Sequence, residues 1–184
     1  GNYLIKKKFR YFSTNKYLVN NLIDDNNLKT REKLKNIFKD NIYTPKYNLT
    51  LDEERDLAYK RLKKICESNV VSVKDFENNP KNIFTVHELA GMSDGSLCTK
   101  LTVQFNLFGG TLFKLGTEKH HKLINNIDKF NTVGCFGLTE SEAGSDPSSM
   151  KTRYEETKDE FILNGSKSWI TNAPIADVFI IWAL

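Results

Sequence analysis

Three short polar segments in the second half of the chain carry residue types that could bind a ligand. Residues 134–140 read GCFGLTE, residues 143–146 read AGSD, and residues 164–172 read NGSKSWITN. Glycine lets a ligand approach the backbone closely, and a Gly-Ser turn offers amide and hydroxyl donors that suit a phosphate group. The indole in the third segment offers a flat apolar surface. By type alone, the Gly-Ser segment could be an ordinary turn and the tryptophan a core residue, so the signal lies in the order and spacing of the three segments.

The order and spacing of these segments resemble the flavin-binding middle segment of the acyl-CoA dehydrogenase and acyl-CoA oxidase superfamily. The resemblance covers about residues 50–184. Residues 87–121 look like the acyl-CoA oxidases, whereas residues 134–183 look like the dehydrogenases, and the motifs within 134–150 are especially similar to glutaryl-CoA dehydrogenase. It implies a FAD-dependent enzyme that desaturates acyl-CoA thioesters at the α and β carbons. It also implies that the catalytic base, a glutamate of a C-terminal helical domain, lies beyond Leu184, so that this chain is an N-terminal fragment that is inactive alone.

The resemblance assigns cofactor-binding roles by motif position. Thr139 would meet the pyrimidine edge of FAD, Trp169 would lie against the ring system, and Thr171 would donate to the reactive nitrogen. Gly144 and Ser145 would supply donors for the pyrophosphate, and Ser145 would also reach the CoA thioester. Further backbone contacts with the cofactor are expected from Phe136, Leu138 and Ile170.

One position departs from the glutaryl-CoA dehydrogenase pattern. Cys98 stands where the resemblance expects the arginine that binds the substrate. A thiol cannot pair with a distal carboxylate as a guanidinium does. Cys98 is therefore expected at the substrate site, and a plain acyl chain is the expected substrate.

The histidines, the acidic residues of the predicted ligand loop and the cysteines do not predict a further site. His120 and His121 are neighbours that would point about 100° apart on a helix, so no metal site is expected there. Glu140 and Glu142 lie in the predicted ligand loop, where we expect solvated carboxylates rather than a general acid and base. The three cysteines form no Cys-x-x-Cys pattern and are expected to be reduced thiols of an intracellular protein.

The flanking sequence predicts the elements that position these segments. Hydrophobic periodicity and capping signals predict helices over residues 28–40, 50–68, 81–90, 96–108 and 117–128. Alternation and β-branched residues predict strands over residues 134–139, 161–165, 167–171 and 178–182. We therefore expect an α+β fold in which an N-terminal all-α helical domain, residues 21–130, precedes the start of an antiparallel β domain, residues 131–184. The C-terminal helical bundle of the family is not expected in this chain.

The predicted helix over residues 50–68 illustrates the pattern. Thr50 and Glu53 form a capping box, in which each side chain satisfies a free amide at the helix start. The charged residues outside its apolar stripe are expected to form a solvated face: Arg55, Lys60, Arg61, Lys63 and Lys64.

Composition narrows the class of protein. The apolar and charged fractions are those of a globular protein, and no apolar run reaches the roughly 18 residues of a membrane-spanning helix. Residues 1–20 hold five bases and no acid; without them, 22 lysines and arginines face 23 acids. This basic leader is typical of a mitochondrial transit peptide, which predicts the mitochondrial matrix, with the peroxisome as the alternative. It could also be a frayed basic terminus.

Several alternatives remain open at this point. The resemblance implies that electrons pass to an electron-transfer flavoprotein in a dehydrogenase, which the leader favours, or to oxygen in an oxidase. It also implies a homodimer or homotetramer. A non-catalytic interaction module is a second interpretation. A nucleic-acid-binding protein with the leader as its arm is a third, but it conflicts with the nearly neutral remainder.

Overall fold

The structure is a computed structural model and describes residues 27–184, so the basic leader lies outside the described residues. The part from residue 27 to residue 128 is helical, and strands begin at Gly134. The helices are α1 (Leu28–Ile37), α2 (Leu51–Glu67), α3 (Asp75–Asn78), α4 (Pro80–Ser93), α5 (Gly95–Leu101), α6 (Gly110–Leu115), α7 (Glu118–His121) and α8 (Ile124–Asp128). The strands are β1 (Gly134–Gly137), β2 (Arg153–Glu156), β3 (Phe161–Asn164) and β4 (Val178–Ile181). The predicted α+β class is confirmed.

Helix α2 forms as the sequence predicts. The Glu53 amide donates to Thr50 Oγ1 at 3.3 Å, and the Thr50 amide donates to Glu53 Oε2 at 2.8 Å, so the capping box is present. The apolar stripe of α2 is buried, with Leu62 and Ile65 fully enclosed. This stripe packs in one hydrophobic core with residues of α4 and α5.

The predicted solvated face of α2 is wrong at one position. The Arg61 side chain is only 6% exposed. Its Nε donates to Ile42 O at 2.7 Å and its Nη2 donates to Thr44 O at 3.0 Å, while Nη1 pairs with Asp94. The guanidinium can be buried because its donors meet carbonyls and a carboxylate inside the fold.

Helix α5 continues into α6 through a π-helical segment, Thr102–Gly109. The helix predicted over residues 96–108 is therefore longer than expected and carries an irregular middle. The buried Gln104 lies in this segment: its Nε2 donates to Ile127 O at 3.2 Å and to Thr132 O at 2.8 Å. Its Oε1 accepts the Gly134 amide at 3.0 Å. Gln104 thus ties the helical core to the first residue of β1.

Strand β1 approaches this helix too closely for any side chain at its first residue. A Cβ placed on Gly134 would lie 2.0 Å from the Phe108 ring, so glycine is required here. The Val133 amide donates to Asp177 Oδ2 and the Asp177 amide donates to Val133 O, both at 2.8 Å. These bonds align the starts of β1 and β4 on the helical core.

The observed elements correct the sequence prediction in four places. The β domain was expected to be antiparallel, and β2 and β3 do pair in that way, but β1 pairs with β4 in parallel, in a register that places Gly134 opposite Val178. The predicted strand over residues 167–171 is wrong, because this segment forms a turn with left-handed backbone. The helix predicted over residues 117–128 divides into α7 and α8, and β2 was not predicted because RYEE lacks an apolar alternation.

Within residues 27–184 no helix is long and apolar enough to span a membrane. Cys66, Cys98 and Cys135 are free thiols, as predicted. Burial raises the pKa of Cys135, and it also raises that of Cys66. In the same residues no three His, Cys, Asp or Glu side chains are grouped to hold a metal ion.

Candidate functional site

The third polar segment forms a turn that holds an aromatic ring in the open. Trp169 has φ 57° and Asn172 has φ 69°, so both residues are left-handed. The Trp169 side chain is 79% exposed, whereas Asn172 is buried. A non-glycine residue in the left-handed region is uncommon, and such backbone strain clusters at ligand sites. We call residues 169–172 the Trp169 turn.

Two hydrogen bonds join this segment to the first polar segment. The Ser168 amide donates to Thr139 O at 3.0 Å, and Lys167 Nζ donates to Leu138 O at 3.0 Å. The chain that follows β1 therefore runs beside the chain that enters the Trp169 turn. The structure brings together two segments that are about 30 residues apart in sequence.

Glu140 extends this connection to a third stretch. Its carboxylate accepts the Lys151 amide at 2.6 Å, the Thr152 amide at 2.9 Å and Lys167 Nζ at 2.8 Å, and also bonds the Thr152 hydroxyl. Glu140 is only 4% exposed, so the prediction of a solvated carboxylate is wrong for it, although Glu142 is exposed. The Lys167 ammonium and the Thr152 hydroxyl hold the pKa of Glu140 well below its usual range.

The second polar segment forms an open loop. Gly144 and Ser145 are exposed, and a Cβ placed on Gly144 would meet no atom within 4 Å. Asp146 ends the loop by accepting the Ser148 amide at 3.2 Å. Hydrogen bonds from Ser148 and Ser149 lower the pKa of Asp146. The Gly-Ser turn is therefore open to a ligand and followed by a capped 3₁₀ turn.

The other predicted site residues occupy different environments. Phe136 packs its ring on Trp182, with centroids 5.7 Å apart. Leu138, Thr139 and Ile170 are half-buried, and Thr171 is exposed. Cys98 lies on α5, where its thiol donates to His87 O at 3.7 Å.

The sequence analysis missed two lysines that the structure brings to this region. Lys167 joins Glu140 to Leu138 O, and Lys100 Nζ donates to Asn172 Oδ1 at 3.1 Å. Lys100 carried a sequence signal, because it is the only charge in the apolar stretch 97–108. No comparable signal marks Lys167, whose importance depends on contacts with residues 138 and 140.

Together these features suit a ligand that has both a flat ring and a phosphate. The exposed Trp169 indole offers a surface for a ring, and Thr171, two residues later in the sequence, is also exposed. The open Gly144–Ser145 turn offers backbone and hydroxyl donors. The fold therefore combines a helical part with a small β part, and these exposed groups lie on the β part.

Comparison with known proteins identifies the family. Residues 135–184 match the model of the acyl-CoA dehydrogenase middle domain. The chain is 31% identical over 136 residues to human peroxisomal acyl-coenzyme A oxidase 3, covering 70% of this chain and 19% of that protein. It is 32% identical over 104 residues to bovine mitochondrial isovaleryl-CoA dehydrogenase, covering 56% of this chain and 24% of that protein.

The fold of this chain is also similar to that of a solved structure. A glutaryl-CoA dehydrogenase from Mycobacterium smegmatis, solved in complex with FADH2, matches with a TM-score of 0.71 and 23% identity, over 89% of this chain and 43% of that chain. The chain belongs to the acyl-CoA dehydrogenase and oxidase superfamily. It spans about a fifth to a quarter of the length of the two curated relatives described above.

Proposed function

We propose that this chain contributes to the FAD and acyl-CoA sites of an enzyme that desaturates acyl-CoA thioesters at the α and β carbons. The observation that carries the proposal is the bond from the Ser168 amide to Thr139 O, because it sets the polar end of the first segment beside the Trp169 turn. Membership of the superfamily and the FADH2-containing neighbour of the same fold support it.

The cofactor roles follow the positions of the exposed groups. Trp169 would support the ring system, Thr171 would donate to its reactive nitrogen, and Thr139 would meet its pyrimidine edge. The Gly144–Ser145 turn would hold the pyrophosphate. Phe136, Leu138 and Ile170 would add backbone contacts. When bound, FAD would accept the two electrons and the hydrogen that leave the β carbon; among residues 27–184 we assign removal of the α proton to none.

The substrate roles fall to Ser145 and Cys98. The half-buried Cys98 thiol offers no positive charge, so we expect an acyl chain without a distal carboxylate. The test is turnover by the full-length protein of butyryl-, octanoyl- and glutaryl-CoA, monitored as formation of the 2-enoyl thioester. Turnover confined to the uncharged chains supports the assignment, and preference for glutaryl-CoA would contradict it.

The electron acceptor separates two candidate functions. A dehydrogenase would use an electron-transfer flavoprotein, whereas an oxidase would use oxygen. The similarity to human acyl-coenzyme A oxidase 3 over 136 residues favours oxygen, and the similarity to isovaleryl-CoA dehydrogenase favours the flavoprotein. Hydrogen peroxide formed in stoichiometric amounts during turnover in air would identify an oxidase. Turnover that requires an artificial acceptor would identify a dehydrogenase.

Location and assembly belong to the same proposal. The acid-free leader favours the mitochondrial matrix, although one relative is peroxisomal and another mitochondrial. A fluorescent protein fused after residues 1–30 should collect in mitochondria, and a peroxisomal pattern of the full-length fusion would contradict this. We also propose a homodimer or homotetramer, which light scattering of the full-length protein would test.

A further inference from the structure

Lys100 is an unusual residue for its position. It is half-buried on α5, and it is the only charge in the stretch 97–108. Its Nζ donates to Asn172 Oδ1 at 3.1 Å, across 72 positions of sequence. Lys100 therefore links the helical core directly to the end of the Trp169 turn.

Stability alone does not explain a lysine at this position. Burial lowers the pKa of Lys100, and the nearby Arg55 lowers it further, so the charged form is disfavoured here. No carboxylate in residues 27–184 forms an ion pair with it. An apolar side chain of the same length would avoid the cost of desolvating an ammonium. Among residues 27–184, the hydrogen bond to Asn172 Oδ1 is the contact through which this ammonium can act.

The ammonium fixes which way the Asn172 carboxamide points. Lysine can only donate, so it faces the carboxamide oxygen and turns the nitrogen away. The nitrogen is then placed to donate to Gly134 O, a long hydrogen bond of 3.4 Å. Asn172 is 4% exposed and left-handed, so its orientation bears on the backbone of the turn.

We propose that Lys100 is a positioning residue for the Trp169 turn: by orienting the Asn172 carboxamide toward Gly134 O, it holds the left-handed turn that presents Trp169 and Thr171 to the ligand. The orientation of the turn stands on the contacts above. Its consequence for FAD rests on the function proposed in the preceding section.

Three substitutions separate orientation from simple packing. Lys100→Met keeps the length but removes the donor, so Asn172 loses its orienting partner. Lys100→Glu reverses the preference by favouring the carboxamide nitrogen, and it should disturb the turn more. Lys100→Arg restores a donor. Lys114→Met is the matched control, since Lys114 is an exposed lysine that pairs with Glu77 at 2.7 Å.

The measurement uses full-length protein labelled with 5-fluorotryptophan. The ¹⁹F resonance of Trp169 is assigned by its loss in Trp169→Phe, and FAD affinity is titrated on the apoprotein. We expect Lys100→Met to shift or broaden the Trp169 resonance and to weaken FAD binding about tenfold, which is about 1.4 kcal/mol. Lys100→Glu should show the larger effect and Lys100→Arg should recover most of the affinity. The thermal midpoint of the Lys100→Met apoprotein should not fall.

An unchanged Trp169 resonance in Lys100→Met would overturn the proposal, as would an equal change in Lys114→Met. A loss of FAD affinity matched by a lower apoprotein midpoint would mean that Lys100 acts through general stability, and would also overturn it. If Lys100→Glu does not fold, the Met and Arg variants decide. Failure of the wild-type protein to bind FAD would refute the proposed function, while the resonance would still test the role of Lys100.

Discussion

The Glu140 carboxylate connects stretches of chain that are distant in sequence. It receives donors from residues 151 and 152 and from Lys167, and Lys167 in turn bonds Leu138 O. A carboxylate stabilised in this way favours its ionised form in the folded state. At the residue scale, the candidate site therefore depends on the charge of Glu140.

This dependence predicts acid sensitivity. Because the folded-state pKa of Glu140 lies below the usual 4.5, the unfolded chain binds the proton more readily, and stability falls as pH drops below about 4.5. Glu140→Gln should lower the thermal midpoint at neutral pH, and its midpoint should change less than that of the wild type between about pH 5 and pH 3. The exposed Glu142→Gln serves as control. Parallel pH profiles for wild type and Glu140→Gln would contradict this role.

The proposed flavin site predicts that substitutions of two exposed residues weaken flavin binding. Trp169 is 79% exposed and a Cβ added at Gly144 would meet no atom within 4 Å, so neither truncating the tryptophan nor enlarging the glycine should disturb packing. Trp169→Ala and Gly144→Val should therefore weaken flavin retention about tenfold or more with little change in the thermal midpoint. Phe84→Ala removes an equally exposed ring, 74% exposed, from α4 and should leave flavin content unchanged. Full flavin content in both site variants would refute the site assignment.

Sequence predicts residues of this site unevenly. Trp169, Gly144 and Thr139 stand out by type and by local spacing. The burial of Glu140 and the link from Lys100 to Asn172 depend on partners 11 to 72 positions away. A single sequence does not contain that information, because hydrogen-bond partners across such separations are set by the tertiary fold.

At the scale of elements, Arg61 connects α2 to residues 42–44 and to the start of α5. It bonds the carbonyls of Ile42 and Thr44 and pairs with Asp94, which also caps α5 by accepting the Ser96 amide at 2.8 Å. Arg61→Met should cost about 3–5 kcal/mol of unfolding free energy, because it leaves Asp94 without its partner in a largely buried place. Denaturant titration measures this. Arg55→Met, whose ion pair with Asp52 is exposed, should change stability by less than about 0.5 kcal/mol.

Gln104 connects the π-helical segment to β1 by hydrogen bonds. Replacing it with Met would leave the Gly134 amide and the Thr132 carbonyl without this partner, whereas the Ile127 carbonyl still accepts the Phe130 amide at 3.0 Å. We expect Gln104→Met to lower the free energy of unfolding by about 2–5 kcal/mol, since each buried unsatisfied group costs about 1–3 kcal/mol. Leu107→Met, at a partly exposed position of the same segment, is the control. Equal denaturation midpoints for the two variants would contradict this account.

Elements with strong local signals were predictable. The capping box of α2 is present, and α4 starts at Pro80, one residue before the predicted position 81, because helix starts depend on residues within one turn. The strand predicted over residues 167–171 failed because β-branched composition does not reveal left-handed residues at 169 and 172. The parallel pairing of β1 with β4 depends on the Val133–Asp177 bonds across 44 positions.

At the scale of the whole molecule, a few specific contacts join the helical core to the β segment. Lys100, Gln104 and Gly134 each join the two parts at a defined contact. The core itself follows from periodicity, whereas the relative placement of β1 and the Trp169 turn follows from these long-range contacts. The proposed chemistry requires that placement, because ring and phosphate must be bound at the same time.

The most direct test of the central claim is the visible absorbance spectrum of the full-length protein, recorded before and after anaerobic addition of octanoyl-CoA. We predict the visible absorbance band of a bound flavin. This band should bleach when the thioester is added, because electrons pass from the β carbon to the cofactor. A full-length protein that shows no flavin band even after incubation with FAD, or whose band is unchanged by every acyl-CoA tested, would contradict the account.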